Sequence, residues 1–310
     1  MYKILITEPE YFPEDLAGLL KDVGTVVSKR LDRGQLLDEV KDVDVLIVRM
    51  ETLVDKKVLD NAKKLKIIGT ATTGVNHIDA EEAEKRGIKI INLSGTHTVP
   101  TAEYTFSLIL SLIRRIPWAF ENMKNGKWER YKFFGAECEG KTFGIVGLGK
   151  IGGRVAEYAQ AFDMKIIAYD PYVDKAKAKE QNIELVSLQD VLKNSDIITI
   201  HSMLTKETEN MIGLKEFQLM KRSAFLVNAA RGMIVNEKDL VKALESKLIA
   251  GAALDVYNNE PLEKESELVK YAKKNGNLLL TPHIAASTNE SIRNAALYVI
   301  SEIKESIKKW

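Results

Sequence analysis

Short apolar runs alternate with amphipathic stretches along almost the whole chain. The runs at 2–7, 43–48, 65–70 and 88–92 are short and continuous, the pattern of strands buried on both faces. Val26 and Val27 begin another. Between them, 14–22, 33–41, 55–63 and 79–86 carry helical spacing. Asp55 is placed to cap the third of these helices, and Gly87 to stop the fourth. The same rhythm resumes with strands at 142–146, 165–169, 197–200, 224–228, 250–254 and 278–281. Helices are predicted at 154–162, 175–181, 214–220 and 236–246, the last capped by Asn236. Ser187-Leu188-Gln189-Asp190 has the form of a capping box with Asp in place of Glu. Strands alternating with helices predict an α/β architecture of two doubly wound units, the second with six strands, each sheet parallel and covered on both faces.

The stretch between the two series is different. Residues 101–115 are apolar nearly all round, so this helix is buried or packs on another subunit, and Pro117 breaks it. The loop 94–100 reads as a first crossover between domains. A final helix from Ser287 to about Lys308 is expected to cross back. The division is therefore 1–97 plus 287–310 for one domain and 98–286 for the other. Residues 118–139 hold Trp118, Phe120, Trp128, Tyr131, Phe133 and Phe134. These aromatics either cover the core or form a dimer arm, since aromatics are enriched at interfaces.

The most specific pattern is residues 141–170. A strand runs into Gly147-Leu148-Gly149-Lys150-Ile151-Gly152, then a helix, then a second strand ending at Asp170. Gly147 suits the tight turn, Gly149 lets a pyrophosphate approach the backbone, and Gly152 lets helix and strand pack closely. The helix N-terminus would face the phosphates. Asp170, eighteen residues after Gly152, is placed to accept hydrogen bonds from a ribose diol and to repel a 2′-phosphate, which favours NAD over NADP. The first unit lacks this motif and has another task.

Composition narrows the rest. The 310 residues are 45% hydrophobic and 29% charged, with a net charge of +1. That suffices for two cores and points to neither a nucleic-acid nor a membrane surface. The single cysteine, Cys138, excludes an internal disulfide and fits a reducing cytosol. Met1 leads straight into a strand, so no signal peptide is expected, and no apolar run approaches a membrane span.

Parallel strands gather their C-terminal tips, and three tips of the second unit carry Arg231, Glu260 and His283. An arginine can hold a carboxylate and polarise a carbonyl, a histidine can exchange a proton near neutral pH, and an acid beside it favours the imidazolium. That set suits hydride transfer between NAD and a 2-hydroxy acid, although on spacing alone satisfied surface residues fit equally. In the first unit, Arg49 ends a strand and suits a carboxylate or phosphate, or a surface ion pair. His77 and His97 lie in loops, and His201 ends a strand beside the expected cofactor. Any of the three could be a general base by type. No pair of histidines has metal-ligand spacing, so no metal is expected.

These stretches together resemble the D-isomer-specific 2-hydroxyacid dehydrogenases over essentially the whole chain. The resemblance rests on 147–152 with Asp170, on Leu226-Val227-Asn228-Ala229-Ala230-Arg231-Gly232, on Ala253-Leu254-Asp255-Val256 with Glu260-Pro261, and on 282–288, Pro-His-Ile-Ala-Ala-Ser-Thr. It implies two Rossmann-like domains, the first flavodoxin-like and substrate-binding, with an active-site cleft between them and a homodimer through the NAD domain. It makes Arg231, Glu260 and His283 the catalytic trio. The Lys150 and Ile151 backbone would meet the pyrophosphate. Ser202, Ala229 and Asp255 would contact the nicotinamide half or nearby ribose, and the Thr73–Gly74 backbone would bind the substrate carboxylate. Within the family, residues 123–130 and 140–142 resemble the branch that oxidises D-3-phosphoglycerate in serine synthesis. Arg49 then matches an arginine near the phosphate. With the chain ending at Trp310, no regulatory serine-binding domain is expected.

Three departures bear on the substrate. Met203 in His201-Ser202-Met203-Leu204 replaces the usual proline beside the cofactor. His97 stands where the phosphoglycerate branch usually has Asn. Thr73-Gly74-Val75-Asn76-His77 replaces a commoner Gly-Val-Asp-Asn loop. Glyoxylate, hydroxypyruvate and other small 2-keto acids therefore compete with the phosphorylated acid. An NAD-sensing binding protein, like the family's transcriptional corepressors, is the non-enzymatic alternative.

Overall fold

The computed structural model describes residues 1–93 and 97–309. The chain divides into two compact units, Met1–His97 with Ser287–Trp310, and Thr98–Ala286. The crossover expected over 94–100 falls partly on 94–96, outside the described residues.

The first unit is a five-stranded sheet of β1 (Tyr2–Ile6), β2 (Gly24–Ser28), β3 (Val45–Val48), β4 (Ile67–Thr70) and β5 (Lys89–Ile91), in the order β2-β1-β3-β4-β5. Every pairing is parallel. Successive residues of a strand point to opposite faces, and the core is split accordingly. Ile4, Ile6, Ile47 and Ile67 pack against Ala296, Val299 and Ile303 of the helix Asn289–Ile307. Leu5, Leu46, Val48 and Ile68 pack against Leu36, Val58 and Leu59 on the other side. The closing helix thus covers a face of this sheet. Gly69 permits that approach, since a Cβ there would meet Val299 Cγ1 at 2.8 Å.

The second unit holds β6 (Thr142–Val146), β7 (Lys165–Tyr169), β8 (Glu184–Leu185), β9 (Ile197–Ile200), β10 (Phe225–Asn228), β11 (Gly251–Leu254) and β12 (Leu278–Leu280). Their order is β12-β11-β10-β9-β6-β7-β8, again all parallel. The sequence pattern gives six strands here and the sheet has seven. The extra one, β8, is only two residues long and pairs at the edge with β7, too short to show a period. The order reverses between β6 and β9, the switch point at which doubly wound sheets bind ligands.

The expected helix at 101–115 begins earlier and ends sooner, as Thr98–Ile113, and a second helix follows, Ile116–Lys124. Arg115 turns the corner in the left-handed region at φ 57°. Pro117 breaks the first helix and also sits in the first turn of the second, where its missing N–H costs nothing. Helix Thr98–Ile113 buries Ala102, Phe106, Ile109 and Leu112 in the core of its own unit. Of the aromatics that follow, Trp118 joins that core, while Phe120, Trp128, Tyr131 and Phe134 are 65%, 76%, 71% and 77% exposed. Core cover therefore does not account for these four.

The predicted caps form at Asp55, Ser187 and Asn236, whose side chains accept from Val58, Asp190 and Asn-capped Asp239 backbone N–H groups respectively. At Ser187 the reciprocal half of the box is altered: Asp190 accepts from the Ser187 hydroxyl at 2.6 Å, because its side chain is one methylene shorter than Glu. No helix of the described residues is long and apolar enough to cross a membrane.

Candidate active site

The glycine loop lies at the tip of β6. Gly147 has φ 96°, and a Cβ on it would come within 2.6 Å of the Ser202 backbone nitrogen. A Cβ on Gly152 would stand 2.2 Å from the Gly147 carbonyl oxygen. Both close approaches exclude a side chain. Gly149 differs: a Cβ there would meet nothing within 4 Å. It opens onto a groove lined by Leu148, Lys150, Gly153, Arg154 and Glu157, among others. Gly149 caps the helix Lys150–Ala161 without a side-chain hydrogen bond, so the first-turn N–H groups, including those of Lys150 and Ile151, are left to an anion. Asp170, at the tip of β7, accepts from Leu148 N–H at 2.8 Å and from Tyr172 N–H at 2.9 Å. Its carboxylate is thereby fixed beside the glycine loop with lone pairs to spare.

The next tip holds His201, Ser202 and Met203. The His201 imidazole is turned back on Thr199, with Nε2 3.0 Å from the threonine hydroxyl. Burial lowers its pKa to about 3, so it is neutral. Ser202 donates to the Val146 carbonyl at 3.2 Å and abuts Gly147, whereas the Met203 side chain is 80% exposed. Ser202 thus walls the glycine loop, and the His201 ring is tied to Thr199.

Arg231, Glu260 and His283 come together in this unit. Buried Asn228 ends β10 and brackets the turn that carries Arg231: its amide donates to the Arg231 carbonyl at 2.9 Å and its oxygen accepts from Ala230 N–H at 3.0 Å. Ala229 is 7% exposed inside that turn. His283 Nδ1 lies 2.6 Å from Glu260 Oε2, with side chains 29% and 28% exposed. The pair is sheltered but reachable. A carboxylate only accepts, so Nδ1 carries the proton and Nε2 remains free for exchange. Burial pushes the Glu260 pKa up, but the hydrogen bond and charge of His283, the Tyr257 N–H and the charge of Arg231 outweigh it. The net shift is downward, and Glu260 is an anion.

Asp255, expected at the cofactor, is wholly buried under the His283 loop. Its carboxylate accepts from Thr281 Oγ1 at 2.6 Å, Ile284 N–H at 3.1 Å and Ala285 N–H at 2.8 Å. These bonds hold His283 at φ 53°, a left-handed conformation that needs such support.

In the first unit, Arg49 sits at the tip of β3 with its guanidinium carbon 3.9 Å from the Tyr11 ring centroid. Burial lowers its pKa, against the opposing pull of Tyr11 and Glu8. Among the described residues no carboxylate pairs with it, so the surface ion pair is not formed. Glu8, which sequence reasoning passed over, is 4% exposed and accepts from the N–H groups of Arg49, Glu51 and Thr52 at 2.8, 3.2 and 3.0 Å. Its only sequence signal is an acid at the end of a buried strand. His97 Nδ1 is 2.7 Å from Ser291 Oγ, and burial together with the nearby Arg49 charge lowers its pKa. His77 Nε2 meets Thr70 Oγ1 at 3.1 Å, in a chain that continues through Thr72 Oγ1 to the Gly74 carbonyl. Burial brings His77 to about 4. That chain fixes the Thr73–Gly74 turn, whose own N–H groups find no partner among the described residues. No His, Cys, Asp and Glu cluster among those residues could hold a metal ion.

The family model for the D-isomer specific 2-hydroxyacid dehydrogenase, NAD binding domain, matches residues 106–285. The chain belongs to that family. D-3-phosphoglycerate dehydrogenase of Archaeoglobus fulgidus is 41% identical over 308 residues, 99% of this chain and 57% of the relative. Glyoxylate reductase of Thermococcus litoralis is 42% identical over 278 residues, 87% of this chain and 82% of the relative. The crystal structure of D-lactate dehydrogenase from Aquifex aeolicus, complexed with NAD and lactic acid, aligns with a TM-score of 0.85 at 28% identity, covering 99% of this chain and 97% of that one. The chain spans a little over half the length of the phosphoglycerate dehydrogenases that it matches. As a member of the 2-hydroxyacid dehydrogenase family it uses NAD, and the open glycine cradle, the free helix N-terminus and Asp170 fit that cofactor.

Two predictions follow from this geometry. Gly149→Ala enters open space at an allowed φ of −79° and leaves the melting temperature unchanged, while NAD binding, read by fluorescence titration, weakens roughly tenfold as the methyl meets the pyrophosphate. Unchanged affinity would mean that the phosphates lie elsewhere. The second concerns pH. His201 is neutral when folded and takes up a proton on unfolding below about 6.5, so its contribution to stability is lost as pH falls from about 6.5 towards 3. His201→Asn should flatten the pH dependence of the denaturation midpoint in that window; a curve parallel to wild type would contradict a buried neutral ring.

Proposed function

We propose that the chain is an NAD-dependent dehydrogenase interconverting D-2-hydroxy acids and 2-keto acids, with D-3-phosphoglycerate as the first candidate substrate. The observation that carries the reading is the 2.6 Å contact of His283 Nδ1 with Glu260, which leaves Nε2 to move a proton. In the oxidising direction Nε2 takes the proton of the C2 hydroxyl as the C2–H bond gives up its electron pair. Glu260 balances the resulting imidazolium. Arg231 holds the carboxylate and polarises the C2 oxygen through its rigid fork. When bound, NAD supplies the acceptor for the hydride. In reverse, His283 returns the proton to the keto oxygen. Residues of the first unit are assigned to substrate recognition: the Thr73 and Gly74 N–H groups to the carboxylate, and Arg49 to the phosphate, with His97 beside it. Lys150, Ile151, Gly147, Gly149, Gly152 and Asp170 are assigned to the dinucleotide. A cytosolic setting fits the single free cysteine, Cys138.

The phosphorylated substrate is favoured by the relatives named for it and by the half-buried Arg49, which among the described residues pairs with no carboxylate. A second reading, reduction of glyoxylate or a similar small keto acid, is favoured by His97. Its ring crowds the Arg49 charge, and a glyoxylate reductase is as similar in sequence. The four exposed aromatics of 120–134 are assigned to an interface with a second copy of the chain. A solvent-facing Trp and two Phe rings in one segment are costly to leave wet.

NADH formation from D-3-phosphoglycerate, compared with NADH consumption by glyoxylate and hydroxypyruvate, separates these readings. Arg49→Ala should raise KM for the phosphorylated acid roughly tenfold and leave that for glyoxylate within about twofold. Equal effects on both would remove the phosphate role, and NAD binding without turnover of any acid would favour a sensing protein. Sedimentation should show a dimer that Trp128→Ser with Phe134→Ser converts to monomer; a monomeric wild type at micromolar concentration would contradict the interface.

A further inference from the structure

Tyr257 follows β11 and takes part in neither substrate nor cofactor binding as described above, yet it touches the supports of all three reacting side chains. Its backbone N–H donates to Glu260 Oε1 at 3.0 Å, the oxygen that His283 does not use. Its hydroxyl donates to the Thr281 carbonyl at 2.8 Å, two residues before His283, with the Leu254 carbonyl at 3.2 Å as the weaker alternative. A phenol has one hydrogen, so the shorter bond is the principal one. Its backbone also lies against Gly232, the residue after Arg231; a Cβ on that glycine would fall 2.0 Å from the Tyr257 carbonyl carbon. The ring is 7% exposed. Burial, with Asp255 nearby, raises the phenol pKa, so it stays a donor.

We propose that Tyr257 is a positioning residue for proton transfer, setting Glu260 and His283 against each other and against Arg231. The inference rests on the dehydrogenase reading above. One residue supports the acid–imidazole pair from two ends: its N–H bonds the Glu260 carboxylate, and its hydroxyl bonds the Thr281 carbonyl that also accepts the His283 N–H. Asp255 fixes the same loop from below through Thr281, Ile284 and Ala285, and Tyr104 of helix Thr98–Ile113 also bonds Thr281. Glu237 secures the following turn by accepting from Asn258 N–H at 2.7 Å. The charged and titratable groups around the pair are therefore Asp255, Glu237 and Arg231, with Tyr104 beside Thr281. A phenylalanine at 257 would fill the same space, but the Thr281 carbonyl would keep only the His283 N–H at 3.0 Å, and the loop would be held by Asp255, Tyr104 and Glu260 without the phenol.

The test is Tyr257→Phe in the whole chain, with His283→Ala as the control, measured as kcat, KM, NAD affinity and melting temperature. Positioning predicts a fall in kcat of roughly tenfold, with KM and NAD affinity within about twofold and the melting temperature unchanged. Wild-type kcat in Tyr257→Phe, with His283→Ala inactive, would overturn the Tyr257 role and leave the dehydrogenase reading standing. A loss of kcat accompanied by a lower melting temperature would reduce Tyr257 to packing and equally overturn it. Full turnover by His283→Ala would overturn the dehydrogenase reading itself.

Discussion

One hydrogen bond, from His283 Nδ1 to Glu260 at 2.6 Å, sets what the second unit can do chemically. It joins two loops that follow different strands, β11 and β12. It needs a carboxylate that stays ionised although partly buried, and an imidazole held in a left-handed backbone conformation. Each requirement is met by a neighbour. Arg231 contributes positive charge, the Tyr257 N–H binds the second oxygen of Glu260, and the buried Asp255 takes three donors from the loop of His283. Parallel strands make this arrangement possible, because they bring the C-terminal tips of β10, β11 and β12 side by side however far apart they lie in the chain.

The same principle builds the glycine loop and the strand tips of the first unit. At the tip of β6 the glycines remove side chains where backbone must approach backbone, and the helix that follows leaves its first N–H groups free. At the tips of β3 and β4 in the first unit, Glu8 gathers three backbone N–H groups under Arg49, and a chain of hydroxyls from His77 fixes the turn at Thr73 and Gly74. In both units buried polar groups are spent on holding loops.

What could be read in the sequence followed what is local. The strand and helix pattern, the caps at Asp55 and Asn236, and the G-x-G-x-x-G stretch with Asp170 are all encoded within about thirty residues, so periodicity and spacing reveal them. The edge strand Glu184–Leu185 escaped because two residues have no period. The helix Ile116–Lys124 escaped because Pro117 reads as a breaker, although proline also suits a first turn. The work of Asp255 was not legible. Its partners lie twenty-six to thirty residues away in sequence, and only the neighbouring positions of β11 and β12 bring them together. The contact of the His201 ring with Thr199 was likewise not legible, since residue type alone does not say which way a ring turns.

The central claim is that His283, oriented by Glu260, exchanges the proton of the substrate oxygen while Arg231 polarises it. The most direct measurement is a crystal structure of the complex with NADH and a non-reacting 2-hydroxy-acid analogue. His283 Nε2 and the Arg231 guanidinium should both lie about 3 Å from the C2 oxygen, with Nδ1 still bonded to Glu260. A C2 oxygen bonded instead to another side chain or to water, with His283 turned away from it, would contradict the account.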